Sequence, residues 1–281
     1  LAYPVSGTPF LDLHSSFFSL IAIYFSIFAI VKNKDLFWLF ASFFLCMAFF
    51  SKQVPAAYTI FGLSLINFYL AIFKKNKNIF IFYALGGLLF LVGLFLFLLS
   101  KQIPISEFIL QIFLFPQSIG INRYDTYELT FKNVVLDFKY IHLIVLIILF
   151  LNFLVFKKTK NYFKSKNFEI FLIIITFFFT TMIHQIYTKN QIYIFFLIPI
   201  LSGFLIFYNN STKLKYKKFI TYFVLALCLF TTIKYNKRFN IDRKFHELNN
   251  TNISNSIRAE KIHKNLKGLK WISPYFHDPK E

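Results

Sequence analysis

Long apolar runs separated by short polar connections recur along the chain up to residue 233. A helix that crosses a membrane needs about 20 mostly apolar residues, and a backbone in lipid must satisfy its hydrogen bonds within its own helix. The pattern therefore predicts an all-α, polytopic integral membrane protein with about eight transmembrane helices and a small polar C-terminal tail. The predicted spans are 15–31, 36–51, 54–73, 79–99, 141–156, 168–183, 192–208 and 219–233, within a transmembrane domain of residues 1–233 that precedes the tail of residues 234–281.

Composition agrees with this class of protein. The chain has 281 residues, of which 57% are hydrophobic and only 15% charged, more apolar surface than a soluble domain of this length can bury. It contains no HExxH motif, no pair of CxxC motifs and no nucleophile elbow, and its lysine-rich connections are too short for a nucleotide-binding fold. These observations argue against chemistry that a soluble nucleotide drives. We also predict no nucleic-acid partner, in spite of the formal net charge of +19.

Lysines concentrate in alternate connections between the predicted spans, and the positive-inside rule places such connections in the cytoplasm. Among the acidic residues, only Asp35 and Glu169 fall on that side. We therefore expect any chemistry on the outer face of a bacterial plasma membrane. The lysines on the predicted inner side are Lys32, Lys34, Lys74, Lys75, Lys77, Lys157, Lys158, Lys160, Lys164, Lys166, Lys213, Lys215, Lys217 and Lys218. The predicted outer segments are 1–14, 51–53, the long loop 100–140, 184–191 and the extracytoplasmic tail.

Asp12 and His14 stand directly before the first predicted span. A carboxylate at this place can act as a base or hold a cation, and an imidazole two residues further on can share that role. The alternative is structural, because an acidic residue near a helix start satisfies free N–H groups and the positive end of the helix dipole. Both interpretations of this pair remain open at this point.

Lys52 and Gln53 lie between two apolar runs, with Pro55 close behind them. The pair can bind a phosphate at the lipid surface. The alternative is an anchoring lysine whose stem lies along hydrocarbon while its ammonium reaches water. A proline disfavours helical backbone in the residue before it, so we expect the chain to break here and to expose polar groups.

The long loop and the last outer connection add further polar candidates. Residues 105–116 are predicted to form an amphipathic helix at the membrane surface. Arg123 with Asp125 either positions an acceptor or a diphosphate or is an ordinary surface pair. His184 and Gln191 either line a cavity shared with the other outer residues or cap the neighbouring helices. These alternatives also remain open from the sequence.

A short series of motifs resembles a known family. The chain reads PFLD at residues 9–12, continues with an apolar span and a short basic turn, and then has an apolar run ending in SKQ at residues 51–53. This order resembles the middle of polytopic GT-C glycosyltransferases, the branch of protein O-mannosyltransferases, aminoarabinose lipid A transferases and Rgt-type sugar transferases. Asp12 and Lys52 match two positions of that pattern, and residues 190–201 are similar to the last core spans. The resemblance covers about residues 1–233.

The resemblance implies an outer-face transferase that moves a hexosyl or pentosyl group from a polyprenyl-phosphate carrier to a lipid, glycan or protein acceptor. The family's catalytic carboxylate lies in an outer loop after its first span, so this chain is expected to be N-terminally incomplete, with that carboxylate upstream. Asp12 would orient the acceptor or bind a divalent metal ion, but no metal ligand set is assigned. We accordingly predict catalytic roles for Asp12 and His14, and substrate-binding roles for Lys52, Gln53, Arg123, His184 and Gln191.

Two functions without a covalent step are alternatives to the transferase. One is a transporter or flippase of a lipid-linked saccharide, and the other is a membrane scaffold whose tail binds a partner. A carrier is expected to place ionisable groups in a cavity deep in the bilayer. The polar residues in the middle of the predicted spans, Asn67, Asn152 and Thr176, are few and uncharged, which weighs against a carrier.

Overall fold

A computed structural model of the chain describes residues 11–117, 130–188, 196–211, 216–237, 254, 256–261 and 263–271. The described residues up to residue 237 are helical, apart from the connections between the helices. The helices are α1 (Leu11–Lys32), α2 (Leu36–Ser51), α3 (Gln53–Phe73), α4 (Lys77–Ser100), α5 (Ile105–Ile109), α6 (Lys139–Lys158), α7 (Lys166–Thr188), α8 (Leu197–Ser211) and α9 (Lys217–Asn236). Helix α5 continues as a π-helical turn, Leu110–Leu114, and a second such turn spans Lys132–Leu136.

The predicted all-α, multi-pass membrane class is confirmed. Six of the described helices are long and apolar enough to cross a membrane, namely α1, α3, α4, α6, α7 and α9, while α2 and α8 are shorter apolar helices. Each predicted span coincides with a helix of similar bounds, although residues 192–195 of the seventh lie outside the described residues. One boundary differs in a way that matters for the site. Helix α7 continues to Thr188, so His184 belongs to a helix and not to a connection.

Small side chains bring α1 close to its neighbours. Helix α1 packs against α2, α3 and α7. Its buried face includes several serines and alanines, whose small volume lets helix backbones approach closely in lipid. These residues are Ser15, Ser16, Ser19, Ala22, Ser26 and Ala29. Helix α1 is therefore held at the centre of the helices that carry the candidate site.

Two sets of contacts define the two ends of this group of helices. At one end the Lys74 ammonium donates to Glu169, with Nζ 2.7 Å from Oε2, and Lys166 Nζ donates to the Val31 carbonyl at 3.0 Å. We call this the lysine-rich end. At the other end α1 begins, α2 passes into α3, and α7 finishes. That end carries the candidate site.

The C-terminal residues form a separate unit. Contacts divide the chain into two compact units, and residues 233–281 belong to the second. The sequence pattern of residues 254–266 predicts an amphipathic helix, but this prediction is wrong for the described part. Two short antiparallel strands, β1 (Ile257–Arg258) and β2 (Lys270–Trp271), pair there with two 3₁₀ turns between them. Pairing with β2 holds residues 257–258 extended, a long-range contact that helical periodicity cannot reveal.

Helices α2 and α4 touch at Gly86, and this contact yields a stability prediction. A Cβ atom at Gly86 would lie 2.0 Å from the Leu39 carbonyl oxygen, which is backbone and cannot rotate away. We expect Gly86→Ala to destabilise the protein by about 1–3 kcal/mol through overpacking, measured as a lower melting temperature in detergent.

Gly93→Ala on the same helix is the matched control, because nothing lies within 4 Å of a Cβ atom there. Helix propensity alone favours alanine over glycine by up to about 1 kcal/mol. We therefore expect Gly93→Ala to leave the melting temperature unchanged or to raise it. Equal melting temperatures for the two variants would contradict the close packing of α2 on α4.

Candidate functional site

The predicted break near Pro55 is confirmed, and it is centred on Lys52. Lys52 is extended, with φ −160° and ψ 123°, and so is Val54, with φ −114° and ψ 122°. The Val54–Pro55 peptide bond is cis. Proline disfavours helical backbone in the residue before it, which explains the extended Val54. The last turn of α2 closes on the Lys52 N–H, which donates to the Ala48 carbonyl at 3.0 Å.

Two neighbouring elements satisfy polar groups exposed by this break. The Ser15 hydroxyl of α1 donates to the Lys52 carbonyl, with the two oxygens 3.2 Å apart. The Gln53 side chain donates from Nε2 to the Ile112 carbonyl at 2.7 Å. Polar groups left unpaired at the edge of a membrane are costly. These two hydrogen bonds therefore attach both α1 and the π-helical turn after α5 to the α2–α3 junction.

Asp12 meets two other site residues predicted from the sequence. Lys52 Nζ lies 2.6 Å from Asp12 Oδ1 and 2.5 Å from Oδ2. His184 Nε2 lies 3.1 Å from Asp12 Oδ1. Because a carboxylate oxygen accepts, Nε2 carries the hydrogen of this bond. Residues from α1, the α2–α3 junction and α7 thus form one cluster, which we call the Asp12 triad: Asp12, Lys52 and His184.

Local structure explains how each member reaches the cluster. Asp12 stands in the first turn of α1, where the positive end of the helix dipole favours an acidic side chain. Lys52 reaches sideways because its extended backbone leaves the axis of α2. His184 is presented near the end of α7, where that helix runs alongside α1. The triad therefore depends on the packing of three separate chain segments.

The triad is only partly open to solvent. The side chain of Lys52 is 29% exposed, that of Asp12 is 13% exposed and that of His184 is 8% exposed. Charges in such a place need compensation, because the effective dielectric constant falls as water is excluded. The ammonium compensates the carboxylate, and the more exposed Lys52 is the member that a ligand can reach. An ammonium has three N–H donors, so it can bind an anionic ligand oxygen while it still holds Asp12.

Other predicted site residues are placed differently. His14 is half-buried in α1, but two residues along a helix correspond to a rotation of about 200°. It therefore faces a different side of α1 from Asp12, and its predicted catalytic role remains a prediction. Gln53 lies beside the triad and binds the chain after α5. Arg123 and Gln191 lie outside the described residues, so their predicted roles remain predictions.

Aromatic packing holds the helix predicted over residues 105–116 beside the break. The ring of Phe50, near the end of α2, stacks on Phe108 with centroids 5.9 Å apart. Phe49 contacts Phe113 with centroids 6.0 Å apart. The sequence indicates this helix but not its neighbour, because the Gln53 bond uses the backbone carbonyl of Ile112, which no side-chain pattern reveals.

The Asp12 triad fits a divalent metal ion poorly. Such ions prefer several oxygen or imidazole ligands around one point, whereas the Lys52 ammonium occupies the position beside Asp12 that a cation would take. Among the described residues, no group of three or more His, Cys, Asp and Glu side chains is suited to hold a metal ion.

Comparisons with known proteins give no match. No family model matches the chain, and neither a curated protein nor a solved structure does.

The triad leads to a prediction about stability. Asp12→Asn and Lys52→Met each leave one partly buried polar partner uncompensated, so each is expected to cost about 1.5–3 kcal/mol of unfolding free energy. The double variant is expected to cost less than the sum of the two, by about 0.5–3 kcal/mol. Melting temperatures of all three variants in the same detergent measure this coupling.

Lys101→Met is the control for removing a lysine. Lys101 is exposed at the end of α4, and substitutions at such positions usually stay within about 0.5 kcal/mol. Strict additivity of Asp12→Asn and Lys52→Met would show that the two side chains do not interact in the folded protein.

Proposed function

We propose that this chain carries the substrate site of a membrane glycosyltransferase that takes a sugar from a polyprenyl-phosphate carrier on the outer face of the membrane. The observation that carries the proposal is the Asp12 triad at a helix break: a partly exposed ammonium held by a carboxylate, next to an imidazole, at one end of the helix group. A lipid-linked phosphate has its phosphate at the membrane surface and its chain in the bilayer, which suits a cation at the end of an apolar helix group. The motif resemblance supports a sugar on a polyprenyl-phosphate carrier as the substrate.

In the proposed reaction, an acceptor hydroxyl oxygen forms a bond to the anomeric carbon of the sugar. The bond between that carbon and the phosphate oxygen breaks, and the polyprenyl phosphate leaves with the electron pair. The hydroxyl proton passes to a carboxylate base, as the resemblance implies. Lys52 stabilises the charge that develops on the departing phosphate, as preorganised cations do in other active sites.

Asp12 and His184 have positioning roles in this scheme. Asp12 binds the Lys52 ammonium through both carboxylate oxygens, which keeps the long lysine side chain at one place. His184 holds Oδ1 of the same carboxylate. A fixed ammonium stabilises a transition state better than a mobile one, because little reorganisation is needed when charge develops. Gln53 assists by attaching the helix break to the chain after α5.

The carrier alternative has less support. Buried polar residues occur in the middle of the described spans, and they are uncharged: Ser19, Ser26, Ser42, Thr59, Asn67 and Asn152 are examples. The buried Glu169 lies at the lysine-rich end and is paired with Lys74. A transporter of charged saccharides is expected to expose ionisable groups to a cavity at mid-membrane. Among the described residues, the charged side chains lie at the two ends of the helices instead.

A transfer assay tests the proposed function. The complete protein in membranes is given a polyprenyl-phosphate sugar and an acceptor, and product formation is compared between wild type and variants. Lys52→Ala is expected to lower turnover by about 10²–10³-fold, the usual effect of removing one group that stabilises developing charge. Lys52→Arg, which keeps the positive charge, is expected to recover part of that loss.

Lys101→Ala serves as the control, since this exposed lysine at the end of α4 has no role in the proposed site. Turnover of Lys52→Ala equal to that of wild type would remove Lys52 from the mechanism. Transfer from a soluble nucleotide sugar, with none from the lipid-linked donor, would overturn the proposed donor class.

A further inference from the structure

The connection between α6 and α7 combines lysines and aromatic rings at the lysine-rich end. Five exposed lysines flank or occupy it: Lys157, Lys158, Lys160, Lys164 and Lys166. Four aromatic rings lie among them: Phe156, Tyr162, Phe163 and Phe168. We call residues 156–168 the basic aromatic turn. It is remote from the Asp12 triad, because Glu169 and His184 lie about 22 Å apart along the axis of α7.

The basic aromatic turn has a defined structure. Tyr162 is buried, and its hydroxyl donates to the side-chain oxygen of Asn152 in α6. Asn161 directly before it adopts the left-handed conformation, with φ 62°, which turns the chain back toward α7. Burial raises the pKa of the Tyr162 hydroxyl, so this residue stays a neutral hydrogen-bond donor at physiological pH. The turn is thus attached to α6 through one buried side chain.

The four rings form a continuous cluster. Phe163 lies 5.1 Å from Phe168 and 5.8 Å from Phe156, measured between ring centroids, and Tyr162 lies 5.3 Å from both Phe156 and Phe168. Phe163 is 58% exposed. The cluster sits where two apolar helices long enough to cross a membrane end and begin. At the end of a membrane helix, an exposed Phe ring can bury itself at the boundary between lipid headgroups and acyl chains.

None of the five lysines has a carboxylate partner among the described residues, and two of them contact other groups. Lys166 donates to the Val31 carbonyl, and Lys157 lies over the Phe153 ring at 4.7 Å. The two acidic residues at this end are already engaged, because Glu169 pairs with Lys74 and Asp35 accepts hydrogen bonds from Asn76. Lys158, Lys160 and Lys164 therefore present positive charge that nothing in this part of the protein neutralises.

We propose that the basic aromatic turn is a binding site for the headgroups of anionic phospholipids. Juxtamembrane lysines attract anionic lipids, while the exposed Phe163 ring enters the boundary between headgroups and acyl chains. An acidic soluble protein would complement the lysines, but it would gain nothing from an aromatic residue at the level of the bilayer. The anionic lipid matches both features of the surface. This site is independent of the proposed transferase activity.

Lipid binding by the complete, purified protein tests this proposal. The protein in nonionic detergent is titrated with fluorescent phosphatidylglycerol and, separately, with fluorescent phosphatidylcholine. We expect phosphatidylglycerol to bind more tightly and its affinity to fall as salt is added. The triple variant Lys158→Gln, Lys160→Gln, Lys164→Gln is expected to weaken phosphatidylglycerol binding by about tenfold or more, without changing the binding of phosphatidylcholine.

The matched control removes the same number of charges elsewhere. Lys101, Lys132 and Lys139 are exposed and lie outside the turn, and the triple variant Lys101→Gln, Lys132→Gln, Lys139→Gln is expected to weaken binding by less than about twofold. Equal losses in the two triple variants would show that only net charge matters, and would overturn the site. Stronger competition by soluble polyglutamate than by phosphatidylglycerol would identify an acidic protein as the partner and overturn the lipid assignment.

A second variant tests the aromatic ring of the turn without changing any charge. Phe163→Ser keeps every charge and replaces a ring that is 58% exposed, so the variant is expected to fold, with a slightly lower melting temperature because the contacts with Phe156 and Phe168 are lost. It is expected to weaken phosphatidylglycerol binding severalfold. Unchanged affinity in this variant, together with unchanged affinity in the triple lysine variant of the turn, would leave the turn without a role in lipid binding and so overturn the proposal.

Discussion

The extended backbone at Lys52 exposes polar groups at the edge of an apolar helix group, and the surrounding structure supplies partners for them. The Ser15 hydroxyl donates a hydrogen bond to the Lys52 carbonyl, and the Asp12 carboxylate accepts one from the Lys52 ammonium. Gln53 reaches the Ile112 carbonyl. Lipid cannot hydrogen-bond to any of these groups. The starts of α1 and α3, the end of α7 and the chain after α5 are therefore tied to one short break.

Contacts between α3 and α7 extend this constraint along the helices to their other end. The hydroxyl groups of Thr59 and Thr180 lie 3.2 Å apart, and Lys74 pairs with Glu169 a few turns away. Polar contacts at several depths allow only one register between two apolar helices, since sliding by a turn would leave buried donors and acceptors unpaired. The position of His184 beside Asp12 follows from that register.

The helices, the break before Pro55 and the members of the triad are predictable from the sequence, because each is marked by a local sequence pattern. Apolar length marks the helices, proline marks the break, and a lone cation between two apolar runs marks Lys52. The pairing itself left no such sign. Asp12 and Lys52 are 40 residues apart in the chain, and Asp12 and His184 are 172 apart, so no periodicity connects them. The sequence predicts roles for both His14 and His184, and the structure shows His184 in contact with Asp12.

The amino-acid sequence by itself determined that this protein is a bundle of apolar helices with lysines concentrated in alternate connections, because membrane insertion responds to apolar length and to charge. Only the tertiary structure decided which polar residues face one another. It joined Lys52 to Asp12 rather than leaving it as a lone anchor at the lipid surface, and it extended α7 far enough to bring in His184. The physical reason is that a charge partly removed from water needs a partner in space, and helix packing, not chain order, determines which residue that partner is.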